Sequence, residues 1–209
     1  MMVIYPGLSQ HTTLEAEMEA EKPTTDQAIL HRVYVVYGHN LAVRDAMYAF
    51  LEALDLQPIT KEAAVNWTGE GSPFADRVID AAFKHAQAVI VLFTGDDRAR
   101  LRSKLRKRNE EAHEKAFWFQ PRQDQIFEAG YAFGHSPERT ILVQIGRVQL
   151  FSDIDGRYMP NFTGKENERR DLINRLKSVG CIVNDNGDAW RSAGDFSRAL
   201  SNHRKKSKK

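Results

Sequence analysis

Two continuous apolar runs constrain the fold of this 209-residue chain more than any other feature. They span residues 33–37 and 88–93 and are rich in β-branched side chains. Runs of this kind are typical of strands that are buried on both faces, as in a parallel sheet. A sheet that is covered on both faces needs helices on each side, so the rest of the chain has to supply them.

Apolar residues at helical spacing follow each of these runs. The pattern predicts helices over residues 41–54, 74–85 and 172–179, with another around Glu128, and further strands at 57–60, 140–145 and 181–183. Residues 66–73, rich in Gly and Ser, are predicted to form a loop. Regular alternation of strand and helix indicates an α/β fold, a flavodoxin-like doubly wound sheet of five parallel strands. Ligands bind such sheets at the carboxyl ends of the strands.

The remaining segments are more polar. Residues 1–30 are interpreted as an arm or linker, 31–184 as the domain, and 185–209 as a polar, basic C-terminal tail. Residues 98–115 are highly charged and are either a solvated helix or a mobile insertion. Clustered Lys and Arg in the tail can bind nucleic acid, but solvated ends are commoner and the net charge is only +2, so we expect no nucleic-acid partner.

Composition narrows the cellular setting. Cys181 is the single cysteine, so no intramolecular disulfide is expected, and we interpret it as a packing residue. No apolar run approaches 18 residues, which predicts a chain that does not enter a membrane and resides in the cytoplasm. The sequence has neither a phosphate-binding loop of the Gly-x-x-x-x-Gly-Lys type nor a cluster with metal-ligand spacing, so no metal is expected.

One carboxylate stands out within residues 121–134. Glu128 lies inside an apolar helical run, and Asp124, Gln125 and Tyr131 share its face at spacings of three and four. Burying a carboxylate is costly unless it is paired or functional, which makes Glu128 a candidate catalytic group. The alternative is an amphipathic helix whose Glu lies at the boundary with solvent.

Four segments, in order, resemble the TIR-like domains of bacterial anti-phage signalling. They are residues 33–40, 93–97, 121–131 and 152–156, and the resemblance covers about residues 31–184. The chain departs from the family pattern at four positions, with Asp124 in place of Asn, Gln125 in place of Val, Gln120 in place of Arg and Phe151 in place of Pro.

The resemblance implies a TIR-like fold and NAD+ nucleosidase (NADase) activity, a hydrolase reaction with NAD+ as substrate and no cofactor. In the family, the glutamate that matches Glu128 acts at the nicotinamide riboside. Nicotinamide is a cationic leaving group that needs no general acid, and one carboxylate can stabilise the ribosyl cation or activate water. The product is either ADP-ribose or a cyclised form.

The same resemblance suggests contacts to the dinucleotide. After the first strand, Tyr37, Gly38, His39 and Asn40 are candidates for contacting the dinucleotide. The last three would contact adenine or phosphates, and the alternative is an ordinary turn.

The loop after the third strand and the Glu128 helix supply further candidates. Thr94, Asp96 and Asp97 are candidates for contacting the dinucleotide. The two aspartates would hold ribose hydroxyls, with helix capping as the alternative. Arg122 would pair with phosphate or with Glu128, or be a surface charge. Tyr131 is included because it shares the face of Glu128. Trp67 would stack on a base, contact a neighbouring subunit or pack internally.

Partners and competing functions also follow from the resemblance. Such domains usually become active as homo-oligomers, and they are often fused to a sensor. The expected partner is therefore a separate sensor protein or a cyclic-nucleotide signal, unless this chain is part of a longer one. Two other functions remain open: a nucleoside deoxyribosyltransferase-like enzyme, which also uses a Glu, and a non-enzymatic module that binds a nucleotide signal or assembles with other TIR domains.

Overall fold

The structure is a computed structural model that describes residues 25–105, 117–154, 156–197 and 200. Short 3-10 turns lie at Ser103–Leu105, Pro137–Arg139 and Ser152–Ile154. The strands are β1 (Arg32–Val36), β2 (Gln57–Ile59), β3 (Ala88–Thr94), β4 (Asp97–Ala99), β5 (Trp118–Gln120) and β6 (Thr140–Ile145). The helices are α1 (Thr25–Ile29), α2 (Leu41–Glu52), α3 (Lys61–Thr68), α4 (Ala75–His85), α5 (Gln123–His135), α6 (Glu166–Ser178) and α7 (Ala189–Ser192).

The main sheet is parallel and has the order β2-β1-β3-β6. β3 lies at its centre, and all seven of its residues are buried. Helices cover both faces, since the side chains of β1 alternate between two cores: Val33 and Val35 pack with α2 and α6, whereas Tyr34 and Val36 pack with α4 and α5. The α/β class and the parallel sheet predicted from the sequence are confirmed.

The fifth strand, predicted at residues 181–183, was wrong. Within the described residues the sheet has four strands, because the N–H groups of Cys181 and Ile182 are already used elsewhere. Cys181 N–H closes the end of α6 by donating to Leu176 O (3.0 Å), and Ile182 N–H donates to Leu30 O (3.0 Å). The edge beside β6 carries instead a single parallel bridge between Gln144 and Asn161.

Helix α3 occupies part of the loop that was predicted over residues 66–73. Its first turn is capped by the Thr60 hydroxyl, which accepts a hydrogen bond from Ala63 N–H (3.2 Å). It ends at Gly69, whose φ of +69° is a left-handed conformation that suits glycine. Helix α6 also begins earlier than predicted, since its first turns are polar and show no apolar period.

A small antiparallel ribbon forms from part of the charged segment. β4 pairs with β5, so that Arg98 faces Phe119, and the guanidinium groups of Arg98 and Arg100 lie 4.2 and 4.3 Å from the ring centre of Phe117. Gly95 admits this ribbon, because a Cβ there would lie only 2.7 Å from the Cβ of Phe119. Residues 106–116 of the charged segment lie outside the described residues.

The described part of the expected C-terminal tail is packed into the domain. Trp190 and Phe196 are almost fully buried in the core beside α2 and α6. The buried guanidinium of Arg169 holds this segment by donating to the carbonyl oxygens of Trp190 (3.0 Å) and Gly194 (3.0 Å). Packing therefore continues past residue 184, where the sequence suggested that the domain ends. Residues 1–24 of the expected arm and 201–209 of the basic end lie outside the described residues.

Over the described ranges, none of the helices combines the length and the apolar character that spanning a bilayer requires.

Trp190→Ala should lower the free energy of unfolding by about 3–5 kcal/mol, because it removes a large buried side chain and leaves a cavity. Leu105→Ala, at a side chain that is 62% exposed, is the control and should cost about 0.5 kcal/mol or less. Chemical unfolding of both variants measures the difference. Equal losses in the two variants would show that residues 189–197 do not belong to the folded domain.

Candidate active site

An open cleft of about 590 Å³ lies at the carboxyl end of β1. The ends of β1 and β2 form its floor, and the helices α2, α3, α4 and α5 surround it. The first residues of three of these helices, Leu41, Lys61 and Ala75, line the cleft. Helix N-termini carry partial positive charge, so this edge of the sheet is suited to a ligand with anionic groups.

Glu128 lies in the wall of this cleft, half-buried on α5. α5 is fastened to the sheet one turn earlier, where the buried Gln125 donates from Nε2 to the carbonyl oxygen of Leu92 in β3. Burial raises the pKa of the Glu128 carboxyl above its ordinary value, and the nearby Asp124 carboxylate raises it further. Lys61, across the cleft, acts in the opposite direction and lowers this pKa.

Tyr37, Gly38 and His39 bring the end of β1 into the cleft. The turn is held by Asp96, whose Oδ2 accepts a hydrogen bond from His39 N–H (2.6 Å). Glycine before it leaves room for this contact, since a Cβ on Gly38 would lie 2.0 Å from Asp96 Oδ2 and would displace the carboxylate. Asn40 caps α2 by accepting a hydrogen bond from Val43 N–H (3.4 Å).

The candidates that follow β3 stand behind this turn and outside the cleft lining. Thr94 is buried, and its hydroxyl has no hydrogen-bond partner within the described residues. Asp96 holds the turn after β1 through the His39 N–H. Asp97 begins β4, and its Oδ1 lies 3.5 Å from Nη1 of Arg122.

Arg122 and Tyr131 also lie outside the cleft lining. Besides Asp97, Arg122 contacts Asp124, with 3.3 Å between Nε and Oδ1, so its charge is shared by two carboxylates that do not include Glu128. Tyr131 packs against Phe83 of α4, with 5.6 Å between ring centres, and stacks on His135. The prediction that these two residues contact a dinucleotide has no support from their positions.

Trp67 packs inside the domain, on α3. Its ring stacks on His85 with 4.3 Å between centres and 10° between planes, and the guanidinium of Arg32 lies 5.4 Å away. Of the three roles considered for Trp67, internal packing is the one that these contacts fill.

Three residues that line the cleft were missed in the sequence: Tyr34, Tyr48 and Lys61. Tyr48 packs edge-to-face on Tyr37 at 6.5 Å, and burial raises its pKa to about 12, so the phenol stays neutral. Tyr34 was hidden within an apolar strand and Lys61 within an unpredicted helix. Arg44, between Tyr37 and Tyr48 in the sequence, could have indicated that the two tyrosines lie together. In the structure its guanidinium lies over both rings.

The part of the chain that the structure describes contains no group of three or more His, Cys, Asp or Glu side chains placed to hold a metal ion.

Residues 32–164 match the family described as CAP12/Pycsar effector protein, TIR domain, which covers more than half of the chain. The chain belongs to this family. No curated protein matches it. The TIR-domain family assignment confirms the resemblance that the four sequence segments showed. The cleft, Glu128 and the Asp96–His39 contact all fall within the matched range.

The pKa of Glu128 in this TIR domain should respond in opposite directions to its two charged neighbours. Asp124→Asn removes a negative charge and should lower the pKa, whereas Lys61→Met removes a positive charge and should raise it. NMR titration of the Glu128 carboxyl carbon measures both shifts. An equal pKa of Glu128 in wild type and both variants would show that neither Asp124 nor Lys61 acts on this carboxyl.

The raised pKa also determines how Glu128 affects the free energy of unfolding as the pH changes. Because the folded state binds this proton more tightly than the unfolded state does, Glu128 reduces the stability of the fold as the pH rises from the ordinary carboxyl pKa through the raised one. At pH values above the raised pKa, the full loss of stability from burying the ionised carboxylate is present.

Proposed function

We propose that this TIR domain is an NAD+ nucleosidase, a hydrolase that releases nicotinamide from NAD+. The observation that carries the proposal is a single half-buried carboxylate, Glu128, in a cleft at the carboxyl edge of a parallel sheet, with its pKa raised by burial. Membership of an effector family supports the biological role, which is the depletion of NAD+ in an infected cell as an anti-phage response.

The reaction breaks the bond between the nicotinamide nitrogen and C1′ of the ribose. The bonding electrons go to the ring nitrogen, which leaves as neutral nicotinamide, and the ribose becomes an oxocarbenium-like cation. Water adds to C1′, and the proton it loses passes to the Glu128 carboxylate and then to solvent, which gives ADP-ribose. A cyclic product forms where a nucleophile of the ADP-ribosyl group takes the place of water.

The surroundings of Glu128 favour this chemistry in two ways. The raised pKa makes the ionised carboxylate a stronger base than an exposed glutamate. Asp124, one turn before it and also in the cleft lining, adds negative potential where the ribosyl cation develops.

Glu128→Gln should reduce nicotinamide release from NAD+ by about 100-fold or more, since the amide keeps the shape of the side chain but neither accepts a proton nor stabilises a cation. Glu138→Gln, at an exposed glutamate outside the cleft, is the matched control and should retain full activity. Chromatographic assay of nicotinamide at high protein concentration gives the comparison.

Three outcomes would argue against the proposal. Equal turnover in wild type and Glu128→Gln removes Glu128 from the mechanism. Base exchange between nucleosides without NAD+ turnover indicates a deoxyribosyltransferase-like enzyme. Binding of NAD+ without turnover, at an affinity that Glu128→Gln leaves unchanged, indicates a non-enzymatic module.

We further propose that the active form is a homo-oligomer in which a second copy covers the cleft. Exposed apolar side chains lie at its edge: Leu41, which lines the cleft, is 51% exposed, and Phe74, which stands between the lining residues Pro73 and Ala75, is 79% exposed. Apolar surface of this kind at the rim of a site favours association with another protein surface. A separate sensor protein or a cyclic-nucleotide signal would then act by promoting this assembly.

If self-association completes the site, specific activity should rise with protein concentration. Phe74→Asp should abolish that rise, because it places a charge in the buried centre of the contact. Activity measured over a dilution series, with sedimentation of the same samples, tests both points. Constant specific activity from a monomer would show that one chain suffices.

A further inference from the structure

The charges that line the cleft are unevenly distributed. Asp124 and Glu128 place two carboxylates on the α5 wall, and within the described residues Lys61 is the only lysine or arginine that lines the cavity. Arg122, the residue that the sequence suggested for phosphate, is shared between Asp97 and Asp124 outside the lining. A ligand with both a positive and a negative group therefore meets two carboxylates on one wall of the cleft and the Lys61 ammonium on another.

Lys61 is held at the rim by the local structure of α3. It is the first residue of that helix, directly after the Thr60 cap. Its ammonium is exposed and, within the described part of the chain, forms no ion pair with a carboxylate. Lys61 and Glu128 line the same cavity from separate helices, and the Lys61 charge lowers the pKa of Glu128. An exposed, unpaired ammonium can bind a phosphate group without first breaking a salt bridge.

We propose that Lys61 binds the diphosphate of the substrate, so that the cleft selects dinucleotides over nucleosides and accepts them in one orientation. The inference rests on the proposed NAD+ nucleosidase function, because it names the group that positions the substrate of that site. In NAD+ a cationic nicotinamide riboside is joined to an anionic diphosphate. Coulomb attraction places the cation beside Asp124 and Glu128 and the diphosphate beside Lys61. Reversing the substrate would bring the diphosphate against two carboxylates, which is repulsive.

The test compares substrates that differ in phosphate. Lys61→Met should raise KM for NAD+ by about 10–100-fold and leave kcat within about twofold, since a charge-assisted contact to the diphosphate, which does not react, contributes to binding in the ground state and the transition state alike. KM for nicotinamide riboside, which has no phosphate, should not change. Lys61→Arg should restore most of the affinity, and Lys104→Met, at an exposed lysine outside the cleft, should behave as wild type.

The pH of the assay separates this role from the effect of Lys61 on Glu128. Each variant is measured on the plateau of its own pH profile, where Glu128 is ionised and its pKa no longer affects the rate. An unchanged KM for NAD+ in Lys61→Met overturns the inference. An equal increase in KM for NAD+ and nicotinamide riboside also overturns it, because a loss of affinity that does not depend on the phosphate indicates a structural role for Lys61.

A binding experiment distinguishes failure of this inference from failure of the proposed function. Titration calorimetry of the full chain with ADP and with adenosine requires no turnover. The diphosphate site is supported if wild type binds ADP more tightly than adenosine and Lys61→Met binds the two equally. This holds even if NAD+ is not cleaved. Equal binding of ADP and adenosine by wild type overturns the site even if NAD+ is cleaved.

Discussion

Burial of the central strand on both faces is the constraint on which the rest of this structure depends. Every residue from Ala88 to Thr94 is buried, so β3 must be flanked by parallel strands and covered by helices on each side. Its neighbours β1 and β6 are buried along most of their length. Polar chemistry is thereby excluded from the sheet and confined to the edge where the strands end, which is where the cleft lies.

The edge is organised by a few close contacts that fix the turn after β1. The Asp96 carboxylate reaches across from the end of β3 to the His39 N–H, and the absence of a side chain on Gly38 makes room for it. On the other wall, Gln125 anchors α5 to β3 and thereby sets the depth of Glu128. Asp96 and Gln125 thus position the residues that line the cleft without lining it themselves.

The features predicted correctly from the sequence are those that the hydrophobic pattern determines. The runs at 33–37 and 88–93 identified β1 and β3 within one residue, and the family motifs identified the TIR domain. The failures involve hydrogen bonds and distant packing. Cys181 looked like part of a strand because its N–H partner at Leu176 cannot be read from composition. Lys61 was missed because its helix depends on the Thr60 cap, and Trp190 because its core partners lie far away in the chain.

The pH dependence of kcat/KM for NAD+ tests the central claim most directly, since that claim gives one carboxylate both its place and its chemistry. The rate should fall on the acid side as Glu128 becomes protonated, with a midpoint above the ordinary carboxyl pKa. In Asp124→Asn this acid limb should move to lower pH, because a negative charge beside Glu128 has been removed. An acid limb at the same pH in wild type and Asp124→Asn would contradict the account.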